Sequence, residues 1–313
     1  MNIKFLNMAN SNLPSSLIDG IQDLGEIRHL RDLEDLNDEY LQDVQIVLAT
    51  GGSQLSSELL DNMPNLKLVA CCSVGYDKID VQDLKKRGIH CTHTPDVLND
   101  DVADLAIALL LNVSRSLVDA QKYIELGNFG KYEFPLTTAL RDLKVGVAGM
   151  GRIGKEIAAR LVAFKTKIAY TAHHKKDDLP YTYFDNIKDL ATWSDALILA
   201  MPACKENFHI VNKDILDELK DGIIINIARG SLIDTEALIE ALQSGHIKGA
   251  GLDVFEHEPY VPSDLIAVFN VVLTPHIGSA THKTRTAMGN LVLANIKAFL
   301  NGKDLLTEVL ETK

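Results

Sequence analysis

The chain has 313 residues, 46% of them hydrophobic, with a mean hydropathy of +0.04, which suits a globular protein of two domains and excludes a disordered chain. Its 43 Asp and Glu outweigh 31 Lys and Arg to give a net charge of −12, which argues against a nucleic-acid binder and makes any cluster of basic residues informative about anionic small ligands. No apolar run approaches the roughly 20 residues that cross a bilayer, and the opening MNIKFLNMAN turns polar too soon for a secretory leader, so the expected location is cytoplasmic, away from membranes. Cys71, Cys72, Cys91 and Cys204 show no CxxC spacing and read as reduced core thiols. The segment HCTH at 90–93 reads as a strand end with a polar tail rather than a zinc site, so no metal is expected.

In chain order, short apolar runs alternate with helical patterns, the signature of parallel sheets built from βαβ units. The first strand candidates are 3–6, 26–30, 45–48, 66–71 and 89–92. Pro14, Ser15 and Ser16 suit a helix start, and VQDLKKRG ends a helix with Gly88 just beyond it. At Pro95 the chain turns into a long helix whose first turn carries Asn99, Asp100 and Asp101, groups that favour a helix N-terminus. A second set of strands follows at 144–148, 167–170, 196–200, 223–227, 249–254 and 271–273. The last helix, about 281–300, has no strand of its own to cover and is expected to return to the first unit. The expected class is therefore α/β with two doubly wound parallel-sheet domains. The larger unit (97–282) is expected to be inserted into the smaller, discontinuous one (1–96 plus 283–313).

The segment KVGVAGMGRIGKEIAARL places Gly149, Gly151 and Gly154 as G-x-G-x-x-G between a strand and a helix. The first glycine permits a tight turn, the second lets backbone approach a pyrophosphate, and the third allows close helix-to-strand packing. Amides at the helix start, around Arg152 and Ile153, would meet the diphosphate charge. The next strand ends in AYTAHHKK, without the acid that would pair with both ribose hydroxyls of NAD. Thr171 stands near that place, and His173, His174 and Lys175 follow, a cluster suited to the 2′-phosphate of NADP. Lys176 is the member expected to be idle, and the alternative is a solvated loop. NADP(H) is thus the expected preference, with NAD(H) possible.

Three later segments, IIINIARGSLID, GAGLDVFEHEP and VVLTPHIGSAT, each end a strand, so Arg229, Asp253, Glu258 and His276 can converge at the carboxyl edge of one sheet. Taken singly, Arg229 could be an ion-pair partner, Glu258 a loop acid and His276 a turn residue after Pro275. Together with SVGYDKID, HTPDVLNDDVADLAIALLL, GMGRIG and TPHIGSATHKTR they occur in an order and spacing that resembles the D-isomer-specific 2-hydroxyacid dehydrogenase family over nearly the whole chain. The resemblance implies an inserted Rossmann dinucleotide-binding domain (97–282), through which homodimers form, and a discontinuous, flavodoxin-like substrate domain (1–96 plus 283–313). It implies a 2-oxo acid substrate whose carboxylate is gripped by Arg229 as a planar fork. His276 would donate a proton to the ketone oxygen, since imidazole titrates near neutral pH, and Glu258 would favour its charged form. Asp253 matches the position that binds the nicotinamide carboxamide. Val74 and Gly75 match the loop whose amides hold the carboxylate when the cleft closes.

Departures from the family pattern are His173 where NADP-using reductases commonly carry Arg, and Phe129 where Trp is frequent. Formate dehydrogenases of the superfamily have Gln at the place of Glu258, which counts against that chemistry. The leading expectation is NADPH-dependent reduction of glyoxylate or hydroxypyruvate to the D-2-hydroxy acid. The alternatives are aromatic or branched 2-oxo acids, 2-ketogluconate, or a dinucleotide-sensing corepressor.

Overall fold

The computed structural model describes residues 3–9, 13–33, 38–141 and 143–312; Met1, Asn2 and Lys313, the outer ends of the expected substrate domain, lie outside them. The chain separates into two compact units, Met1–Leu98 with Ala280–Lys313, and Asn99–Ser279.

The first unit begins with β1 (Ile3–Asn7), α1 (Ser15–Gln22), β2 (Gly25–His29), α2 (Glu39–Gln42), β3 (Val44–Ala49), α3 (Ser57–Asp61), β4 (Leu68–Cys71), α4 (Val81–Lys86) and β5 (His90–Thr92). Its strands lie in the order β2-β1-β3-β4-β5 and are all parallel, the doubly wound arrangement of flavodoxin-like sheets. The LVAC run of β4 is buried along its whole length, as expected where helices cover both faces of a parallel sheet. Asp80 caps α4 through Gln82 and Asp83, and Gly88 (φ +69°) follows its end, so the local sequence sets both boundaries.

The second unit contains α5 (Asn99–Ser114), α6 (Leu117–Glu125), β6 (Lys144–Ala148), α7 (Arg152–Ala163), β7 (Lys167–Thr171), β8 (Thr182–Tyr183), α8 (Ile187–Trp193) and β9 (Ala196–Leu199). It continues with α9 (Lys213–Glu218), β10 (Ile223–Asn226), α10 (Thr235–Gln243), β11 (Gly249–Leu252), α11 (Ser263–Ala267) and β12 (Val271–Leu273). The parallel sheet runs β12-β11-β10-β9-β6-β7-β8, with the direction of winding reversing between β6 and β9, as in dinucleotide-binding Rossmann sheets. The expected strands all form. The sequence reading missed β8, whose two residues are too few to show alternation.

The final helix, α12 (His282–Leu300), belongs to the first unit and packs on α1. Thr281 caps it by accepting from Thr284 N–H at 3.2 Å, and Met288, Val292 and Ile296 form its buried stripe. Among the described residues no helix is long and apolar enough to cross a membrane, and no group of His, Cys, Asp and Glu is arranged to hold a metal ion. Cys71, Cys72 and Cys91 are buried, and burial pushes the Cys72 thiol up to about 11. The core-thiol expectation fails for Cys204, which lies exposed just before a short 3₁₀ turn at Lys205–Asn207.

Candidate active site

The turn after β6 is built for close approach. Gly149 has φ +102°, and a Cβ there would lie 2.7 Å from backbone atoms of Ala200 and Met201, the residues that follow β9. The two lips of the winding reversal therefore touch, which only glycine permits. A Cβ on Gly154 would fall 2.1 Å from the Gly149 oxygen, so this glycine seats α7 on the turn. Gly151 differs: a Cβ there meets nothing within 4 Å, leaving an open face for a ligand. The first bond into α7 runs from Lys155 N–H to Gly151 O at 3.0 Å, and the amides of Ile153 and Gly154 ahead of it have no acceptor among the described residues. Arg152 is exposed at the first helical position, and no acid stands in that turn to compete for the amides. Such a helix start attracts an anion.

At the carboxyl end of β7, the Thr171 hydroxyl is buried and has no hydrogen-bond partner among the described residues, at the place where this fold receives the adenine ribose. His173, His174 and Lys175 are all exposed on the loop that follows. Lys176 is partly buried, and its backbone, rather than its ammonium group, is engaged by Tyr170. The orphan hydroxyl, the open face at Gly151 and the unpaired amides of α7 fit a dinucleotide with its diphosphate at the helix start.

The catalytic candidates meet at the carboxyl ends of β10, β11 and β12. Asn226 closes β10, and its side chain donates to Arg229 O at 2.8 Å and accepts from Ala228 N–H at 3.0 Å, fixing the turn that carries Arg229. One Arg229 Nη donates to Ala228 O at 2.7 Å. A Cβ on Gly230 would fall 1.9 Å from the Phe255 carbonyl carbon, so this turn rests directly on the loop that holds Glu258. Glu258 Oε1 accepts from Phe255 N–H at 3.0 Å, and Oε2 lies 2.9 Å from His276 Nδ1. A carboxylate only accepts, so Nδ1 carries the proton and Nε2 is left unpaired among the described residues. Burial raises the Glu258 carboxyl, but the hydrogen bond and charge of His276, the Phe255 amide and the Arg229 charge outweigh it and hold the group below its ordinary range.

His276 itself sits in the left-handed region, with φ +54°. Its N–H donates to Asp253 O at 2.9 Å and Thr274 O at 3.0 Å, which holds this conformation in place. The Asp253 carboxylate, 1% exposed, accepts from the Thr274 hydroxyl (2.6 Å), Ile277 N–H (2.8 Å) and Gly278 N–H (2.9 Å). Burial raises the Asp253 carboxyl, and these three donors pull the other way. Asp253 thus braces the segment that presents His276.

In the first unit, Val74 and Gly75 follow β4. The Val74 carbonyl faces His93 Nδ1 at 3.0 Å, and the Gly75 carbonyl accepts from the Ser73 hydroxyl at 2.7 Å. With both carbonyls tied back, neither amide has an acceptor among the described residues, a two-donor arrangement suited to a carboxylate. His90, the other histidine of HCTH, pairs with Glu308 at 2.5 Å.

Residues 107–278 match the profile of the D-isomer specific 2-hydroxyacid dehydrogenase, NAD binding domain. The chain belongs to the D-isomer specific 2-hydroxyacid dehydrogenase family. The dehydrogenase is 44% identical over 267 residues to glyoxylate/hydroxypyruvate reductase A of Arabidopsis thaliana, covering 85% of each chain. It is 43% identical over 269 residues to hydroxyphenylpyruvate reductase of Plectranthus scutellarioides, covering 86% of each. Among solved structures it resembles the NADPH-dependent glyoxylate/hydroxypyruvate reductase of Sinorhizobium meliloti, crystallised with NADP and malonate. That likeness has a TM-score of 0.93 at 39% identity and covers 100% of this chain and 98% of the other. The protein is an oxidoreductase of 2-oxo acids and 2-hydroxy acids that binds a nicotinamide dinucleotide.

Sequence reasoning singled out polar residues at the strand ends, Asp253 and Glu258 among them, and passed over most of the residues that brace them. Asn226 ends an apolar run inside NIARG, and that position alone was the available signal. Thr274, His93 and the His209–Glu256 pair had no signal, because each acts through a contact far away in the chain, and Tyr170 read only as one more apolar residue of its strand.

Proposed function

We propose that this dehydrogenase reduces a small 2-oxo acid of the glyoxylate or hydroxypyruvate type to the D-2-hydroxy acid, with NADPH preferred and NADH possible. The observation that carries the reading is His276, held by Glu258 through Nδ1 so that Nε2 is left to hand over a proton. The nicotinamide supplies the hydride when bound. Arg229 binds the substrate carboxylate as a planar fork, and its charge polarises the neighbouring ketone. His276 Nε2–H gives its proton to the ketone oxygen, and Glu258 stabilises the charged ring beforehand. Asp253 orients the nicotinamide through its carboxamide. In the first unit, the amides of Val74 and Gly75 offer two donors of the kind a carboxylate takes.

Ile153, Gly154 and Arg152 hold the diphosphate at the start of α7, and His173, His174 and Lys175 take the 2′-phosphate. The substrate and cofactor named for the Sinorhizobium meliloti structure support this assignment. The enzyme works as a homodimer through the dinucleotide-binding unit, where Leu126, Phe129, Tyr132 and Leu136 are 71–103% exposed, an unusual display of apolar surface. The test is NADPH and NADH oxidation with glyoxylate, hydroxypyruvate, 4-hydroxyphenylpyruvate and 2-ketogluconate, together with light scattering for mass. The highest kcat/KM is expected for NADPH with one of the first two. A wild type that prefers NADH, or prefers the aromatic or sugar acid, overturns the corresponding part.

A further inference from the structure

The basic loop after β7 is held by two tyrosines. Tyr170 is fully buried, yet it carries a hydroxyl, which accepts from Lys176 N–H at 2.7 Å and donates to Lys176 O at 3.3 Å. Tyr183, on the edge strand β8, donates to Ala172 O at 3.4 Å. The two rings meet at 5.4 Å with an interplanar angle of 53°, and Phe184 N–H ties back to Tyr170 O at 2.9 Å. Residues 172 and 176 are therefore anchored on either side of three exposed basic side chains. Phenylalanine would fill the same core volume without the penalty of burying a hydroxyl. The hydroxyl of Tyr170 serves the Lys176 backbone and no other group among the described residues. A loop left unanchored would have to order its backbone when it bound a ligand, which lowers affinity.

We propose that Tyr170, backed by Tyr183, is a positioning residue for cofactor choice. Its hydroxyl presets loop 172–176 so that His173, His174 and Lys175 converge on an adenosine 2′-phosphate. This rests on the NADPH reading above. Neither tyrosine touches a reacting atom, so the effect is confined to ligands that carry that phosphate.

The experiment is calorimetric titration of wild type, Tyr170→Phe and Tyr183→Phe with adenosine 2′,5′-bisphosphate and with AMP, which differ only in the 2′-phosphate. Loss of a hydrogen bond converts to about a 3- to 10-fold change in affinity. Tyr170→Phe should weaken the bisphosphate by that much, Tyr183→Phe by less, and AMP should bind equally to all three. In kinetics, KM for NADPH should rise in the same ratio, with KM for NADH and kcat unchanged. A wild type that binds both nucleotides alike overturns the cofactor reading itself. A wild-type preference that survives intact in Tyr170→Phe, or equal weakening of both nucleotides, overturns the role of Tyr170 alone. Should Tyr170→Phe fail to fold, Tyr183→Phe decides: a reduced preference supports the proposal, and an unchanged one overturns it.

Discussion

Two histidine–carboxylate pairs share one loop of the second unit, with their carboxylates two residues apart. His276 Nδ1 meets Glu258 at 2.9 Å, and His209 Nε2 meets Glu256 at 2.8 Å. Both histidines have positive φ, +54° and +49°. Distance and backbone strain therefore fail to say which pair does chemistry. The difference lies in which nitrogen is engaged. His209 uses Nε2, the tip of the ring, while Phe208 stacks on it at 3.9 Å and the second oxygen of Glu256 accepts from the Thr235 hydroxyl at 3.1 Å. His276 uses Nδ1, the base of the ring, and its side chain is 51% exposed against 29% for His209. On the proposed function, one pair is a latch between segments, and the other is an oriented proton donor.

The strongest way to break this comparison is to remove each ring. His276→Ala should lower kcat by about 10²–10⁴-fold, the usual contribution of a general acid, while dissociation constants for the cofactor stay near wild type. His209→Ala should lower the thermal midpoint and leave kcat within a few-fold. Comparable kcat losses in the two variants would erase the distinction. Next in size is Arg229→Lys, which should raise KM for the oxo acid and reduce kcat, together about tenfold or more in kcat/KM, because an ammonium cannot reproduce two parallel hydrogen bonds. Near-normal kinetics would return Arg229 to a structural role.

How far this distinction could be read beforehand depends on what each residue does. The two parallel sheets followed from apolar runs alternating with helical patterns, and the catalytic candidates followed from strand ends, since polar groups after a buried strand have few other places to go. Gly149, Gly151 and Gly154 could be read because a backbone requirement leaves a mark at fixed spacing. Nothing local marks His209 and Glu256: they are 47 residues apart, and their pairing exists only after β10 and β11 align. The same holds for the three donors that Asp253 collects from the segment after β12. Position shows that a residue can reach a ligand, whereas packing decides which neighbours keep it there.

The carboxylates give a subtler contrast. Glu258 is held below its ordinary range in the folded protein, so its stabilising effect is fully present above the unfolded value and is lost as pH falls through the lowered folded value. Glu258→Gln should therefore be less stable than wild type at neutral pH, with the gap closing in acid. Its kcat should also fall, since the ring loses the carboxylate that orients it, whereas Glu256→Gln should change only the melting curve. An unchanged kcat for Glu258→Gln would sink the oriented-donor assignment.

The smallest expected effect tests the latch from its far side. Thr235→Val removes the hydroxyl that donates to Glu256 Oε2 while keeping a β-branched side chain at the first position of α10. The cap of that helix is untouched, because Asp234 accepts from Ala237 N–H at 3.1 Å. The loss should be that of one hydrogen bond to a charged group in a partly exposed site, about 0.5–1.5 kcal/mol. For a unit of this size that is a drop of a few degrees in the thermal midpoint. Because Thr235 and His209 both act through Glu256, the double variant Thr235→Val with His209→Ala should lose less stability than the sum of the single losses. The kinetic constants should stay at wild-type values, since the oxygen that Thr235 holds is on the pair whose ring tip is already engaged. A fall in kcat with Thr235→Val would mean that the latch and the proton donor are coupled through residues 256–258, and that the two pairs work as one device.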